Sequence, residues 1–337
     1  MNKQGVVREI LKGCHPNPKE VGKAFAPSNI ALCKYWGKRD ALLNLPLTSS
    51  LSISLKDAGT TTKVQSSSVN EDKIIFAGER LPNDCPFAKK TIEFINLFRP
   101  SKDFCFKITT KNNIPTAAGL ASSASAFASL VLALNDFFQY NLSRQELSIL
   151  ARLGSGSASR SLWHGFVEWH AGSRPDGMDS FGTPLPTVWQ SLCIGLLIFD
   201  TKPKSISSRD AMQRTKETSQ LYKKWEEEVA KDLWQIKEAI RTLDFHLLGK
   251  TAQDNALKMH ATMQDASPPI DYCSHETYAA REQIKKYQEE GLPIYFTQDA
   301  GPNLKILFEE KDISPIIEKF GNIKIIKPFS VLYGTTS

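Results

Sequence analysis

The stretch PTAAGLASSASAF (Pro115–Phe127) decides how the first half of the chain is interpreted, because it has no charged side chain and consists mostly of small residues. Upstream, FCFKITT (Phe104–Thr110) alternates apolar and polar residues, which predicts a half-buried strand. Downstream, alanine, leucine and phenylalanine dominate residues 122–138, which predicts a buried helix. The order is therefore strand, short loop, and a glycine- and serine-rich entry into a helix.

This arrangement is typical of a phosphate site. The first turn of a helix carries unpaired N–H groups and a partial positive charge. Gly119 would let a phosphate approach the backbone, and Ser122 and Ser123 would add hydroxyl donors. The stretch is not a Walker A loop, because GxxxxGK[ST] is absent. A small-residue helix packed closely against a neighbour remains an open alternative.

Composition and charge restrict the class of protein. The chain has 337 residues, 41% hydrophobic and 23% charged, enough for one large or two ordinary folded domains. Its apolar runs are too short to cross a bilayer, no signal peptide is evident, and six scattered cysteines without a CxxC pair predict reduced thiols. We therefore expect a cytoplasmic protein without membrane contact. The net charge of +6 comes without a basic stripe, which disfavours nucleic-acid binding and suits anionic small molecules.

Further patterns predict an α+β fold rather than a doubly wound sheet. SSLSISL (49–55) alternates as a half-buried strand, and CIGLLIFD (193–200) is a buried strand. SRQELSILARLG (143–154) begins with a capping box of Ser143 and Glu146, and apolar residues recur at helical spacing over 222–240. GLPIYFTQDAGPNLKILFEE (291–310) predicts a hairpin with DAGPN as its turn. We divide the chain into an N-terminal lobe, residues 1–190, and a C-terminal lobe, residues 191–337.

Three other stretches collect polar residues. APSNIALCKYWGKRD (26–40) contains Asn29, Lys34, Tyr35, Lys38 and Arg39. GSGSASRSLWHGFVEW (154–169) is a second glycine- and serine-rich cluster with one arginine, and FTQDAGPN places one aspartate at a glycine turn. Taken singly, each has a structural explanation: a solvated pair of cations, a salt bridge, or an ordinary turn aspartate.

Together these blocks resemble the GHMP kinase superfamily, whose phosphate loop follows P-x-x-x-G-L-x-S-S-A. Within it, NIALCKYWGKRD, NNIPTAAGLASSAS, GSGSASRSLWHGFVEW, SSRDAM, MHATM and YFTQDAGPN resemble the diphosphomevalonate decarboxylase family, in that family's order, from Ala26 to Asn303. The first twenty residues match no block of the family. The resemblance implies a two-lobed α+β fold, with an N-terminal lobe like ribosomal protein S5 domain 2, a GHMP-kinase C-terminal lobe, and an active site in the cleft.

The resemblance also implies a reaction and its participants. The family converts ATP and 5-diphosphomevalonate into isopentenyl diphosphate, carbon dioxide, ADP and phosphate, usually with Mg²⁺, in the mevalonate route to isoprenoids. The expected mechanism phosphorylates the 3-hydroxyl group before carbon dioxide leaves. A homodimer is the expected assembly.

By the same resemblance, Asp299 is a carboxylate base that aligns the substrate hydroxyl with the γ-phosphate of ATP as much as it removes the proton. Arg160 holds the substrate carboxylate, and Asn29 helps to orient it. The resemblance also implies that Gly119, Ser122 and Ser123 bind the ATP phosphates. The resemblance assigns the substrate diphosphate to seven residues: Tyr35, Lys38, Ser155, Ser157, Ser208, Arg209 and Met212. Packing could equally explain the methionine.

No metal ligand is assigned to the protein. The sequence offers no acidic residue between Ser122 and Asp136, so ATP is expected to supply most of the Mg²⁺ ligands. His260 has no metal-binding partner beside it in sequence and is interpreted as structural.

The chain departs from the family at Ser159, where many members have cysteine, at Ala211, where many have glycine, and at Gln298, where an aromatic residue or methionine is usual. These changes concern pocket shape. Alternatives therefore remain: a paralogue acting on 5-phosphomevalonate, a kinase that stops after phosphorylation, or a nucleotide-binding protein without catalysis.

Overall fold

The computed structural model describes residues 1–113, 122–199, 205–321 and 323–330, without the side chain of Ser122. Gly119 lies outside the described residues. The α-helices, in chain order, are α1 (Lys3–Ile10), α2 (Pro86–Ile95), α3 (Ser122–Phe138), α4 (Arg144–Gly154), α5 (Ser208–Thr218), α6 (Trp225–Thr242), α7 (Phe245–Gln264), α8 (His275–Glu289) and α9 (Ile313–Phe320). Within these described ranges there are also four 3₁₀ helices, at Asn96–Phe98, Gly156–Arg160, Leu221–Lys224 and Glu310–Asp312.

The strands form three sheets. In chain order they are β1 (Gly22–Cys33), β2 (Lys38–Asp40), β3 (Leu45–Pro46), β4 (Ser50–Ser66), β5 (Lys73–Phe76), β6 (Glu79–Arg80), β7 (Phe106–Asn112), β8 (Phe166–Trp169), β9 (Gly182–Pro184), β10 (Leu192–Leu197), β11 (Tyr295–Gln298), β12 (Leu304–Glu309) and β13 (Lys324–Ile326).

The largest sheet is built on β4. Its order is β6-β5-β7-β4-β8-β9, and β1 pairs with β4 along nearly its whole length. A second sheet has the order β11-β12-β10-β13, and β2 pairs with β3 alone. Every pairing is antiparallel except that of β5 with β7. This confirms the predicted α+β class, since a doubly wound fold needs a mainly parallel sheet. The expected division at residue 190 lies between β9 and β10 and stays a prediction.

The predicted elements are found where the sequence patterns placed them. Ser143 and Glu146 form a reciprocal capping box at the start of α4, β10 is buried throughout, and β11 and β12 form the C-terminal hairpin. The periodic segment over 222–240 begins as a 3₁₀ turn and continues as α6. All six cysteines are free thiols, and no described helix is both long and apolar enough to span a bilayer.

The half-buried strand predicted over residues 49–55 is wrong in one respect, because both of its faces are buried. Leu51 and its apolar neighbours lie in the core, as expected. On the other face, Ser50 accepts a hydrogen bond from Arg160, and Ser54 accepts one from the Gly165 amide. Ser50 and Ser54 can be buried there because these polar groups satisfy their hydroxyls, whereas Ser52 Oγ on the same face has no hydrogen-bond partner among the described residues. The polar face of β4 thus borders a buried polar site rather than solvent.

Candidate active site

Asp299 lies at the start of the hairpin turn after β11 and contacts two buried lysines. Its Oδ1 is 2.9 Å from Nζ of Lys34, which directly follows β1, and its Oδ2 is 3.1 Å from Nζ of Lys305, which lies in β12. Both lysine side chains are 2% exposed, whereas that of Asp299 is 29% exposed. Each carboxylate oxygen therefore has its own cation, and one side of the group stays open.

The two lysines control the charge of Asp299. Burial favours the protonated carboxyl, but the charges and hydrogen bonds of Lys34 and Lys305 outweigh it and hold the pKa of Asp299 well below its usual range. Burial likewise lowers the pKa of Lys34, while its pairing with Asp299 opposes that shift. Asp299 is consequently a poor proton acceptor and a good hydrogen-bond acceptor.

Arg160 ends the 3₁₀ helix Gly156–Arg160 and is 2% exposed. Its Nη1 donates to Ser50 Oγ, and its Nη2 lies 3.4 Å from Oδ1 of Asn29. Burial lowers the pKa of Arg160 to about 10, although the nearby charge of Asp299 opposes the shift, so the side chain stays cationic at neutral pH. Among the described residues it forms no salt bridge, and its Nε has no hydrogen-bond partner. A buried cation without a carboxylate partner indicates a site for an anionic ligand.

Asn29 is held beside Arg160 by the same segment. Its Nδ2 donates to Ser161 Oγ at 2.8 Å and to the Ser157 carbonyl at 3.2 Å. The register of β1 against β4 shifts between Pro27 and Asn29, and such bulges reorient side chains next to active sites.

A row of serine hydroxyls links the start of α3 to this segment. Ser123 Oγ is 3.2 Å from Ser155 Oγ, which is 3.3 Å from Ser157 Oγ. The predicted ATP-phosphate helix and the predicted diphosphate site are thus neighbours. Ser123 also lines a cavity of about 440 Å³, with apolar walls that include Phe87 and Phe127 and with Thr91 and Lys90 among its polar members. Its volume and mainly apolar lining suit a planar base attached to phosphates at the helix start.

Two family models match the chain. One is described as the diphosphomevalonate decarboxylase-like N-terminal domain and matches residues 26–182. The other is the mevalonate 5-diphosphate decarboxylase C-terminal domain and matches residues 194–327. The chain belongs to the diphosphomevalonate decarboxylase family. Members of this family are ATP-dependent decarboxylases, which confirms the predicted enzyme class.

Individual relatives agree. The diphosphomevalonate decarboxylase of Aspergillus fumigatus is 36% identical over 324 residues, covering 89% of this chain and 79% of its own. The mevalonate diphosphate decarboxylase of Staphylococcus aureus has a TM-score of 0.85 at 38% identity, covering 91% of this chain and 95% of that chain. The structure of MDDEF in complex with MVAPP, AMPPCP and magnesium has a TM-score of 0.85 at 40% identity, covering 92% and 98%. These matches confirm the predicted two-lobed GHMP kinase fold.

The family's expected diphosphate residues converge near β2. Tyr35 stacks edge-on against Trp169 at 4.8 Å between ring centroids, and its hydroxyl is buried without a partner among the described residues. Lys38 Nζ donates to Asn44 Oδ1 at 2.7 Å. Burial first, and then the charges of Arg209 and Lys3, lower the pKa of Lys38 to about 8. These cations repel one another until an anion lies between them.

The remaining expected residues have mixed positions. Ser208 and Arg209 form the first turn of α5, where N–H groups are also available. Met212 is buried in the core beneath α5, which favours packing over substrate contact. Gly119 and the side chain of Ser122 fall outside the described residues, so their roles stay predictions.

His260 is buried behind the turn that carries Asp299. Its Nε2 lies 3.2 Å from the Asp299 carbonyl, and burial lowers the pKa of His260 to about 3, so it is neutral. A neutral, buried imidazole fits the prediction that His260 has a structural role. Gln298 is also fully buried and receives hydrogen bonds from Arg281, so its departure from the family concerns packing behind the site.

The described residues contain no group of three or more histidine, cysteine or acidic side chains placed to hold a metal ion. Asp136, the first acid after Ser122, is held by Lys19 and by the amide of Lys23. Both oxygens of Asp299 face lysines. The described side chains therefore form no metal centre by themselves, and the expectation that ATP supplies most of the Mg²⁺ ligands stays a prediction.

Sequence reasoning did not assign a role to Lys34 or Lys305. Lys34 stood inside a quoted block, but nothing in the pattern showed that it reaches Asp299. Lys305 had a detectable signal, because it interrupts the apolar strand LKILF beside the DAGPN turn. A lysine within a buried strand usually has a charged partner.

Proposed function

We propose that this enzyme converts 5-diphosphomevalonate and ATP into isopentenyl diphosphate, carbon dioxide, ADP and phosphate, by phosphorylating the 3-hydroxyl group first. The substrate has three polar features: a tertiary hydroxyl, a carboxylate and a diphosphate. The cleft offers a matching group for each of them. Complexes of the relative MDDEF with MVAPP and AMPPCP support this substrate pair.

The observation that carries the proposal is Arg160. A buried guanidinium without an acidic partner is unfavourable in the free protein, and a bound carboxylate would remove that cost. Its planar fork can bind both oxygens of a carboxylate, while Ser50 and Asn29 fix its orientation. A kinase that leaves the substrate carboxylate untouched has no use for this arrangement.

In the first step, the 3-hydroxyl oxygen attacks the γ-phosphorus and ADP leaves. Phosphoryl transfer depends mainly on alignment and charge neutralisation. An ionised carboxylate has about four lone-pair positions, so Asp299 can accept the hydroxyl while both lysines stay bound. Because the pKa of Asp299 is held so low, we assign it the alignment of the hydroxyl rather than removal of its proton, and that proton passes to an oxygen of the transferred phosphate as the new bond forms.

In the second step, the new phosphate leaves with the electrons of its carbon–oxygen bond, and positive charge builds on that carbon. Arg160 holds the carboxylate so that its carbon–carbon bond is aligned for cleavage. The electrons of that bond form the double bond of the product, and carbon dioxide departs. The two steps consume one ATP for each carbon dioxide.

The remaining groups bind phosphates. Tyr35, Lys38, Arg209, Ser155 and Ser157 would hold the substrate diphosphate, with ATP at the start of α3 beside Ser123. Mg²⁺ would arrive on the ATP phosphates and neutralise charge on the transferred group. Since Ser123 and Ser155 touch, the two phosphate sites adjoin and the γ-phosphate can point toward the substrate.

The test is release of labelled carbon dioxide from carboxyl-labelled substrate, with ADP counted in the same samples. Diphosphomevalonate, phosphomevalonate and mevalonate are offered in parallel. Equal carbon dioxide and ADP from the diphosphate alone is the expected result. Preference for the monophosphate would refute the diphosphate assignment, and ADP without carbon dioxide would reduce the protein to a kinase.

A further inference from the structure

Asp299 connects the two main sheets through its lysine pairs. Lys34 follows β1 of the larger sheet, whereas Lys305 belongs to β12 of the smaller sheet, the same hairpin as Asp299. The carbonyl of Ala31 in β1 accepts hydrogen bonds from Lys34 Nζ at 2.8 Å and from Thr297 Oγ1 at 3.1 Å. Lys34 therefore links Asp299 to the other sheet, and Lys305 links it to its own hairpin.

The position of Lys305 is fixed by strand pairing. Lys305 lies directly opposite Thr297 in the register of β11 with β12, and Thr297 precedes Asp299 by two residues. Its strand neighbours Leu304 and Ile306 are buried in the apolar core. A rigid, fully buried strand holds a side chain more precisely than a loop does. The ammonium group of Lys305 is consequently held beside a carboxylate that itself lies in a turn.

An apolar residue would fit this strand position without the penalty of burying a charge. Lys305 also contacts the Asn303 carbonyl at 3.4 Å, so its charge is shared with the turn that carries Asp299. The cation is thus placed where it restricts both the carboxylate and the turn. This is the arrangement expected of a group that orients a catalytic residue.

We propose that Lys305 is a positioning residue, which anchors Oδ2 of Asp299 so that the remaining lone pairs face the substrate hydroxyl. The inference rests on the proposed function, because it assumes that Asp299 aligns that hydroxyl. Lys305 does not itself touch the substrate diphosphate or carboxylate. Its loss should therefore affect turnover and leave substrate affinity nearly unchanged.

The decisive variant is Lys305→Met, which keeps the length of the side chain and removes the charge. We expect kcat to fall about 10- to 100-fold, as for outer groups that orient ligands, while KM for diphosphomevalonate changes less than about threefold. The groups facing Asp299 are Lys34, Lys305 and Arg160, with neutral His260 behind its backbone. Without Lys305 less positive charge opposes protonation, so the acidic limb of the kcat–pH profile should move to higher pH.

Lys305→Arg is the conservative rescue and should recover most of the kcat and the original pH profile. Lys237→Met is a control for loss of a lysine ion pair, because the partly exposed Lys237 pairs with the buried Glu168 and not with Asp299. If Lys305→Met does not fold, Lys305→Gln takes its place in the same measurements. Thermal unfolding of each variant identifies a purely structural loss.

The inference would be overturned if folded Lys305→Met kept its kcat and its pH profile, or if Lys237→Met caused the same changes. It would also be wrong if KM rose by the factor by which kcat fell, since that would indicate a binding role. Failure of the proposed function is distinguished by the wild-type enzyme, which would then release no carbon dioxide from diphosphomevalonate. Failure of the proposed function would therefore appear in the wild-type enzyme, and failure of the inference about Lys305 would appear in the variants.

Discussion

Replacement of Arg160 by lysine tests the central claim about decarboxylation. Arg160 divides its fork between Ser50 and Asn29, leaves its buried Nε without a partner among the described residues, and lies over the Trp169 ring at 5.8 Å from the ring centroid. Lysine has a single nitrogen and cannot keep both side-chain contacts while binding a carboxylate with two parallel bonds. At least one contact made in the transition state is lost. Such a loss costs about 2.7–4 kcal/mol, or about 10²–10³-fold in kcat.

The assay follows carbon dioxide and ADP separately in a single turnover. Phosphorylation of the hydroxyl does not change the carboxylate, so Arg160→Lys should slow carbon dioxide release more than ADP release. Arg152→Lys is a matched control, because Arg152 is equally buried but donates only to backbone carbonyls of Leu43, Gly177 and Ser180. It should lower the melting temperature without separating the two products. A folded Arg160→Lys enzyme with carbon dioxide release within about threefold of wild type would refute the assignment.

Three further outcomes are expected. KM for the diphosphate substrate should rise above pH 8, by up to about tenfold per pH unit, because Lys38 of the substrate-free enzyme loses its proton there. In initial-rate measurements, Lys38→Met should abolish this dependence of KM on pH. Asp299→Asn should remove nearly all carbon dioxide release, and because it removes the ion-pair partner of two buried lysines it should also lower the free energy of unfolding by about 3–5 kcal/mol in urea titrations. Gly156→Ala should raise KM for the same substrate, since its Cβ would lie 2.7 Å from Trp169 and 3.0 Å from Tyr35 and would displace them; unchanged KM would show that Tyr35 does not contact the diphosphate.

The sequence predicted the elements of the fold because their signals are local. A capping box specifies the start of α4 from two residues, and apolar spacing identifies α6 without knowledge of its partners. The strand at 49–55 was misjudged for the opposite reason. Whether its serine face is solvated depends on Arg160, more than 100 residues away, and no local pattern contains that information.

The site shows the same division. Asp299, Arg160 and Asn29 could be selected from blocks of sequence, whereas Lys34 gave no sign of its partner and Lys305 showed only as a lysine inside an apolar strand. Lys34 reaches Asp299 across 265 positions of chain, and Lys305 reaches it only because the hairpin register places it opposite Thr297. An ion pair between distant residues leaves no trace in composition or periodicity. The roles of Asp299 as base or as aligning group therefore could not be separated before its neighbours were known.

The charges around Asp299 favour alignment of the substrate hydroxyl over general-base catalysis as its role. A general base works best when its pKa is near the working pH, and a carboxylate between two ammonium groups is far from that value. The same lysines also reduce electrostatic repulsion. In the proposed reaction the Asp299 carboxylate lies beside the anionic γ-phosphate and the anionic substrate, and the two ammonium groups offset its negative charge. With Lys34 and Lys305 bound to Asp299, the catalytic turn has net positive charge, and Arg160 adds another cation. In the proposed reaction both substrates are anions and each step moves negative charge, so the positive charge of this cluster would stabilise the bound ligands.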